Sequence, residues 1–180
     1  MSKDKRLTIG MGEKPRYIAS ACICGIPTRW DGGHCLASTL VELVASGAVV
    51  PFCAESAGGL SIPRAEAEIM GMDGRPDPNV DGHDVLDGKA RVITIDGGDV
   101  TEEYVRGAEM GLALAQELGI KAAILRMHSS SCGSRMQYDG TFKLVLKPGL
   151  GVFAALLQRN GFTLYSDENL DAVPELMKAR

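Results

Sequence analysis

Three short apolar runs each end in a cysteine or run shortly into one, and this pattern constrains the fold more than anything else in the chain. The first is Tyr17-Ile18-Ala19-Ser20-Ala21-Cys22, the second Ala48-Val49-Val50-Pro51-Phe52-Cys53, and the third Ala122 to Met127, followed five residues on by Cys132. Amphipathic segments separate them. Leu36, Leu40, Leu43 and Val44 recur at helical spacing before Gly47, and Tyr104, Ala108, Leu112, Ala115 and Leu118 do so before Gly119. Asp99 or Thr101 is placed to cap the second of these helices. Short apolar runs alternating with helical stripes predict an α/β fold: a single-domain, doubly wound, mostly parallel sheet of Rossmann-like or flavodoxin-like type.

The remaining segments fit around that frame. The stretch 54–88 is rich in Gly, Pro and Asp and reads as a long loop with a helical turn near Ala65 to Met70. Arg91 to Ile95 and Phe142 to Leu146 read as further strands, the first at an edge. A helix from about Gly151 to Arg159 and a strand from Phe162 to Ser166 close the pattern. With 180 residues the chain is one domain, assigned to 16–180, after a flexible N-terminal segment at 1–15 that carries few apolar side chains.

Charge and composition narrow the function classes. Nineteen basic against 23 acidic residues give a net charge of −4, which offers no positive field for nucleic acid or anionic lipid. No run approaches the roughly 20 apolar residues that span a bilayer, and the N-terminus has no apolar signal core, so the expected setting is cytoplasmic. Five cysteines in a chain of this size are then expected to remain thiols, available for ligation or catalysis. The oligomeric state does not follow from the sequence.

In open α/β sheets, ligands bind beyond the carboxyl ends of the strands, so Cys22, Cys53 and Cys132 are expected to face one crevice. Three thiolates suit zinc, copper(I) or an iron–sulfur cluster and leave one metal position open, as catalytic centres do. Buried cysteines are often mere small hydrophobes, a reading that suits one of them better than three at successive strand ends. Cys24 would close the site if it joined the set, but in an extended strand it points away from Cys22. Cys35 is assigned to the packing of a helical first turn.

Glu55, two residues beyond Cys53, is the leading general base, the alternatives being a solvated loop position or a helix cap. The Ser129-Ser130-Ser131-Cys132-Gly133 loop offers hydroxyls and N–H groups suited to a polar heterocycle or a small anion. Ser131 and Arg64 are the candidate substrate contacts, and Arg64 could equally offset a negatively charged cluster. His128, just before this loop, is a weaker candidate. Gly149-Leu150-Gly151 opens a helix with Asp167 downstream and superficially matches a dinucleotide fingerprint. Pro148 and the short chain beyond it favour a close packing contact instead.

Several spaced motifs together resemble the thiouracil desulfidase family from about Ile18 to Ser166. They are Ser20-Ala21-Cys22 with Arg29-Trp30-Asp31-Gly32, Pro51-Phe52-Cys53-Ala54-Glu55, Gly58-Gly59-Leu60 with Pro63-Arg64, Asp99-Val100-Thr101, Ser129 to Gly133, and Tyr138-Asp139-Gly140-Thr141-Phe142. The resemblance implies an enzyme that takes sulfur from 2-thiouracil, or a related small thiolated compound, and releases sulfide. It implies a 4Fe-4S cluster held by Cys22, Cys53 and Cys132, with Glu55 and Ser129 as catalytic groups. The chain departs from the family pattern at Thr28, Trp30, Ala54 and Ser130, the last standing where the family carries proline. The alternative from another class is a non-catalytic metal- or redox-sensing module with a closed cysteine site.

Overall fold

The computed structural model describes residues 14–177. Along the chain come β1 (Tyr17–Ser20), a 3-10 turn (Ala21–Cys24), a second such turn (Ser38–Leu40) leading into α1 (Val41–Ala45), β2 (Val49–Phe52) and α2 (Ala54–Ala57). Then follow β3 (Ala67–Gly71), α3 (Gly82–Leu86), β4 (Ala90–Thr94), α4 (Thr101–Glu117) and β5 (Ala122–Leu125). The chain continues through β6 (Met136–Tyr138), β7 (Leu146–Pro148), α5 (Val152–Arg159), β8 (Thr163–Ser166) and α6 (Pro174–Met177).

The central sheet has four parallel strands in the order β2-β1-β5-β8. Strand order reverses between β1 and β5, the switch point of a flavodoxin-like doubly wound sheet. Both faces are covered. Ile18, Ala123 and Leu125 pack with Tyr104, Ala108, Ala115 and Phe153 from α4 and α5. Tyr17, Ala19 and Ile124, one residue out of phase, pack on the other face with Leu40, Val49 and Val173. Burial on both faces explains why these strands read as continuous apolar runs. Pro51 is tolerated because β2 lies at the edge of the sheet.

Several elements differ from expectation. β1 ends at Ser20, so Cys22 lies in a 3-10 turn, and the strand argument that separated it from Cys24 does not apply. Ala67–Gly71 is a strand where a helical turn was expected, because it pairs antiparallel with β4 in register Ala67↔Thr94. That partner lies far along the chain and leaves no local periodicity. Of the expected strand Phe142 to Leu146, only Leu146 is in a strand, as the first residue of β7; the rest belongs to the connection between β6 and β7, with Phe142 and Leu144 at φ 56° and 59°. Cys35 lies in the segment before the first helical turns rather than in a helix. Of the proposed flexible segment 1–15, residues 1–13 lie outside the described residues.

Candidate active site

One cleft opens beyond the carboxyl ends of β1, β2 and β5, at the switch point. Its open volume, solvent at the mouth included, is about 800 Å³. The 3-10 turn after β1 places Cys22 on the wall, and Cys53 sits there at the start of α2. The loop after β5 adds Ser129 and Cys132. Glu55, Arg64, His128 and Trp30 also line the cleft. Cys24 does not, although it packs against the same apolar cluster as Cys22 and Cys35.

The three wall thiols are electrostatic neighbours. Burial pushes the Cys132 thiol up to about 12, with Cys53 and Glu55 adding to the rise and the Ser20 hydroxyl opposing it. Cys22 is raised well above the ordinary thiol range, first by its hydrogen-bonding partner Cys35, then by burial and by Cys132, against the pull of Arg126. Cys53 accepts a hydrogen bond from Ser56 Oγ at 3.5 Å and donates to the Thr28 carbonyl at 3.8 Å. Buried thiols that hold their protons ionise when a cation displaces them, so the donor set fits a soft metal centre. No three His, Cys, Asp or Glu side chains among the described residues close on one metal ion. Three neighbouring thiols on one cleft wall are of the donor type that iron–sulfur clusters take.

Glu55 is fixed by Arg64, whose Nε donates to Oε2 at 2.7 Å in a pair whose side chains are only 7% and 16% exposed. Arg64 also donates from Nη2 to the Thr28 carbonyl at 2.9 Å and from Nη1 to the Ser61 carbonyl at 3.3 Å. It therefore ties α2 to two loops. Ser129 Oγ accepts from the backbone N–H groups of Ser131 at 3.1 Å and Cys132 at 3.0 Å, which leaves its own hydrogen to donate elsewhere.

Ser131 is not on the cleft wall. Its Oγ is buried, its neighbour being the Cys132 thiol. The Ser131 carbonyl accepts from Phe153 N at 2.9 Å and the Ser130 carbonyl from Val152 N at 2.9 Å, so the serine loop caps α5 with backbone oxygens. This is the use of Gly151: a Cβ there would stand 2.4 Å from the Ser131 carbonyl oxygen. Gly151 of the apparent dinucleotide fingerprint thus serves a backbone contact, and Gly149 makes room for the Gln137 side chain.

Sequence reasoning passed over Tyr104, Tyr138, Glu66 and Arg126, all on the cleft wall. Arg126 is held by Asp167 at 3.1 Å, and its N–H donates to Ser20 Oγ at 3.1 Å. Tyr104 was visible only as one member of an apolar helical stripe. Its place in the first turn of α4 was the available signal, since α4 runs into β5 and so begins at the carboxyl end of the sheet.

A family model described as 2-thiouracil desulfurase matches residues 18–169. A Bacillus subtilis (strain 168) protein described as uncharacterized protein YbbK is 40% identical over 156 residues, covering 87% of this chain and 98% of that one. The solved structure of TudS, a [4Fe-4S]-dependent thiouracil desulfidase, matches with a TM-score of 0.74 at 39% identity. The match covers 92% of this chain and 97% of that structure.

Proposed function

Since the chain belongs to the 2-thiouracil desulfurase family, we propose that it is an iron–sulfur-dependent desulfidase, taking sulfur from 2-thiouracil or a related small thiolated compound. The observation that carries the reading is the meeting of Cys22, Cys53 and Cys132 on one cleft wall that also bears Glu55 and Ser129. Cys22, Cys53 and Cys132 would hold the 4Fe-4S cluster, and Cys24, off the wall, would leave the set open. When bound, the cluster supplies an iron without a protein thiolate, a Lewis acid for the thiocarbonyl sulfur.

Exchanging a ring thiocarbonyl for a carbonyl is hydrolytic: water adds its oxygen to the carbon, sulfur departs as sulfide, and nothing changes oxidation state overall. Glu55 takes the proton of the attacking water. Arg64 holds its carboxylate in one orientation, so no rotamer freedom is lost at that moment. Ser129 donates its hydroxyl hydrogen to the substrate, and the two backbone N–H groups on its oxygen favour that polarity. Arg64 is placed to orient substrate only through Glu55, because its nitrogens are already bonded to Glu55, Thr28 and Ser61.

The partner in this reading is a small thiolated molecule rather than nucleic acid, consistent with the net charge of −4. No helix among the described residues is long and apolar enough to cross a membrane. The five cysteines are free thiols, which suits a reducing cytoplasmic setting.

Anaerobically purified protein is expected to carry about four irons with acid-labile sulfide per chain, and to release sulfide from 2-thiouracil. Glu55→Gln is expected to keep the iron and lower sulfide release by at least about a hundredfold. Protein that takes up no iron on anaerobic reconstitution contradicts the cluster. A full cluster with no sulfide release from any thiolated pyrimidine contradicts the activity.

A further inference from the structure

Tyr104 presents a hydroxyl where packing alone needs only a ring. The residue is 2% exposed and on the cleft wall, and its neighbours Ala108 and Phe153 belong to the apolar core. A buried hydroxyl in such a place requires a partner. The structure provides one: Tyr104 Oη lies 3.1 Å from Ser130 Oγ.

The direction of that bond follows from hydrogen counting. Ser130 has a single hydroxyl hydrogen, which it donates to the Ala67 carbonyl at 2.8 Å. The phenol is therefore the donor to Ser130. Ser130 already has a satisfied hydrogen and serves only as a resting acceptor, so losing the phenol's hydrogen leaves it an unfilled lone pair and no orphaned donor. Leaving a donor unmade is the costlier fault. The phenol hydrogen is thus free to move to a better acceptor entering the cleft.

Two neighbouring groups on this wall already carry roles of their own. The Arg64 nitrogens are bonded to Glu55, Thr28 and Ser61, and the desulfidase reading assigns the Ser129 hydrogen to the reacting end of the substrate. The position of Tyr104 is also fixed. α4 and α2 touch backbone to backbone through Gly58 and Gly107, where a Cβ would stand 1.9 Å from the Glu103 carbonyl and 1.8 Å from the Ala54 carbonyl. That contact sets the phenol in the same wall as Glu55, which with Arg64 is its charged neighbour.

We propose that the Tyr104 hydroxyl reads a second carbonyl on the substrate ring, moving its hydrogen from Ser130 to that oxygen. The preferred substrate class is then a thiolated heterocycle that carries a ring carbonyl besides its thiocarbonyl. The inference rests on the desulfidase reading above and adds to it a residue that sets specificity.

The test is calorimetric titration of the anaerobic, cluster-loaded protein with two rings, uracil and 2-pyrimidinone, the second lacking one carbonyl. Tyr104→Phe is expected to weaken uracil about tenfold, the factor equal to about 1.4 kcal/mol, and to leave 2-pyrimidinone unchanged. The cluster absorption and melting temperature should not move. Ser130→Ala removes the resting acceptor and is expected to bind uracil at least as tightly as the wild type. Equal weakening of both rings by Tyr104→Phe, or of neither, overturns the assignment while the activity on 2-thiouracil stands. A tenfold loss of uracil binding in Ser130→Ala overturns the hydrogen relay. Wild-type protein that binds neither ring and releases no sulfide overturns the desulfidase reading, and this inference with it.

Discussion

Glu68 is a carboxylic side chain that folding takes out of water. It is 1% exposed, and its Oε2 accepts from the backbone N–H of Gly140 at 2.7 Å and of Phe142 at 3.2 Å. Its Oε1 is buried with no partner among the described residues. The carboxylate thereby holds the β6–β7 connection, where Phe142 and Leu144 sit in the left-handed region that non-glycine residues avoid. Burial raises the Glu68 pKa, the two backbone N–H groups oppose the rise, and Glu66 and Asp139 add to it. A carboxyl raised in the folded state contributes its full stability at low pH and loses it as pH climbs from the ordinary carboxylate range through the folded value. Glu68→Gln keeps an oxygen for both N–H groups and carries no charge. Its melting temperature relative to the wild type is therefore expected to rise as pH climbs above the ordinary carboxylate range. Parallel melting curves for the two proteins across that range would contradict the account. Nothing in the local sequence announces this: an acidic residue at position 68 looks like an ordinary surface carboxylate until the loop 72 residues later is folded over it.

Whole elements were legible where their cause is local. β1, β2 and β5 could be read because burial on both faces writes a continuous apolar run, and α4 because one stripe repeats along 17 residues. β3 could not, because it exists through pairing with β4, and its Ala, Glu and Gly have no strand preference of their own. At the site the same division holds. The cysteines stand at strand ends that the sequence marks, whereas Tyr104 enters the cleft only because α4 is clamped onto α2. That clamp makes a definite prediction. In an exposed helix Gly107→Ala would add up to about 1 kcal/mol of stability. Here the new Cβ would stand 1.8 Å from the Ala54 carbonyl, and overpacking of this kind costs about 1–3 kcal/mol or more. The loss outweighs the gain, so Gly107→Ala is expected to melt lower. It should also retain less iron after reconstitution, because α2 carries Cys53 at its start and Glu55 in its first turn. A variant as stable and as iron-rich as the wild type would show that the two helices can separate freely.

At the scale of the whole molecule, the cleft is held by three chain segments that lie far apart in sequence. The turn after β1, the start of α2 and the loop after β5 meet only above the sheet, and each brings one wall cysteine. A group that binds all three closes chain loops of tens of residues each, as a disulfide does, and it binds the folded state alone. Cluster loading is therefore expected to stabilise the protein by about 3–4 kcal/mol. In a chain of this length that corresponds to a rise in melting temperature of about 10 °C. Scanning calorimetry on reconstituted and chelator-stripped protein under anaerobic conditions measures the difference. Cys53→Ser should remove it by cutting one tie, whereas Cys24→Ser should preserve both the cluster absorption and the shift, because Cys24 is not on the cleft wall. Loaded and stripped proteins that melt together would mean that the three segments are already rigidly joined. Loss of the cluster in Cys24→Ser would mean that the site recruits a fourth thiolate, a closed centre unsuited to binding a substrate's sulfur.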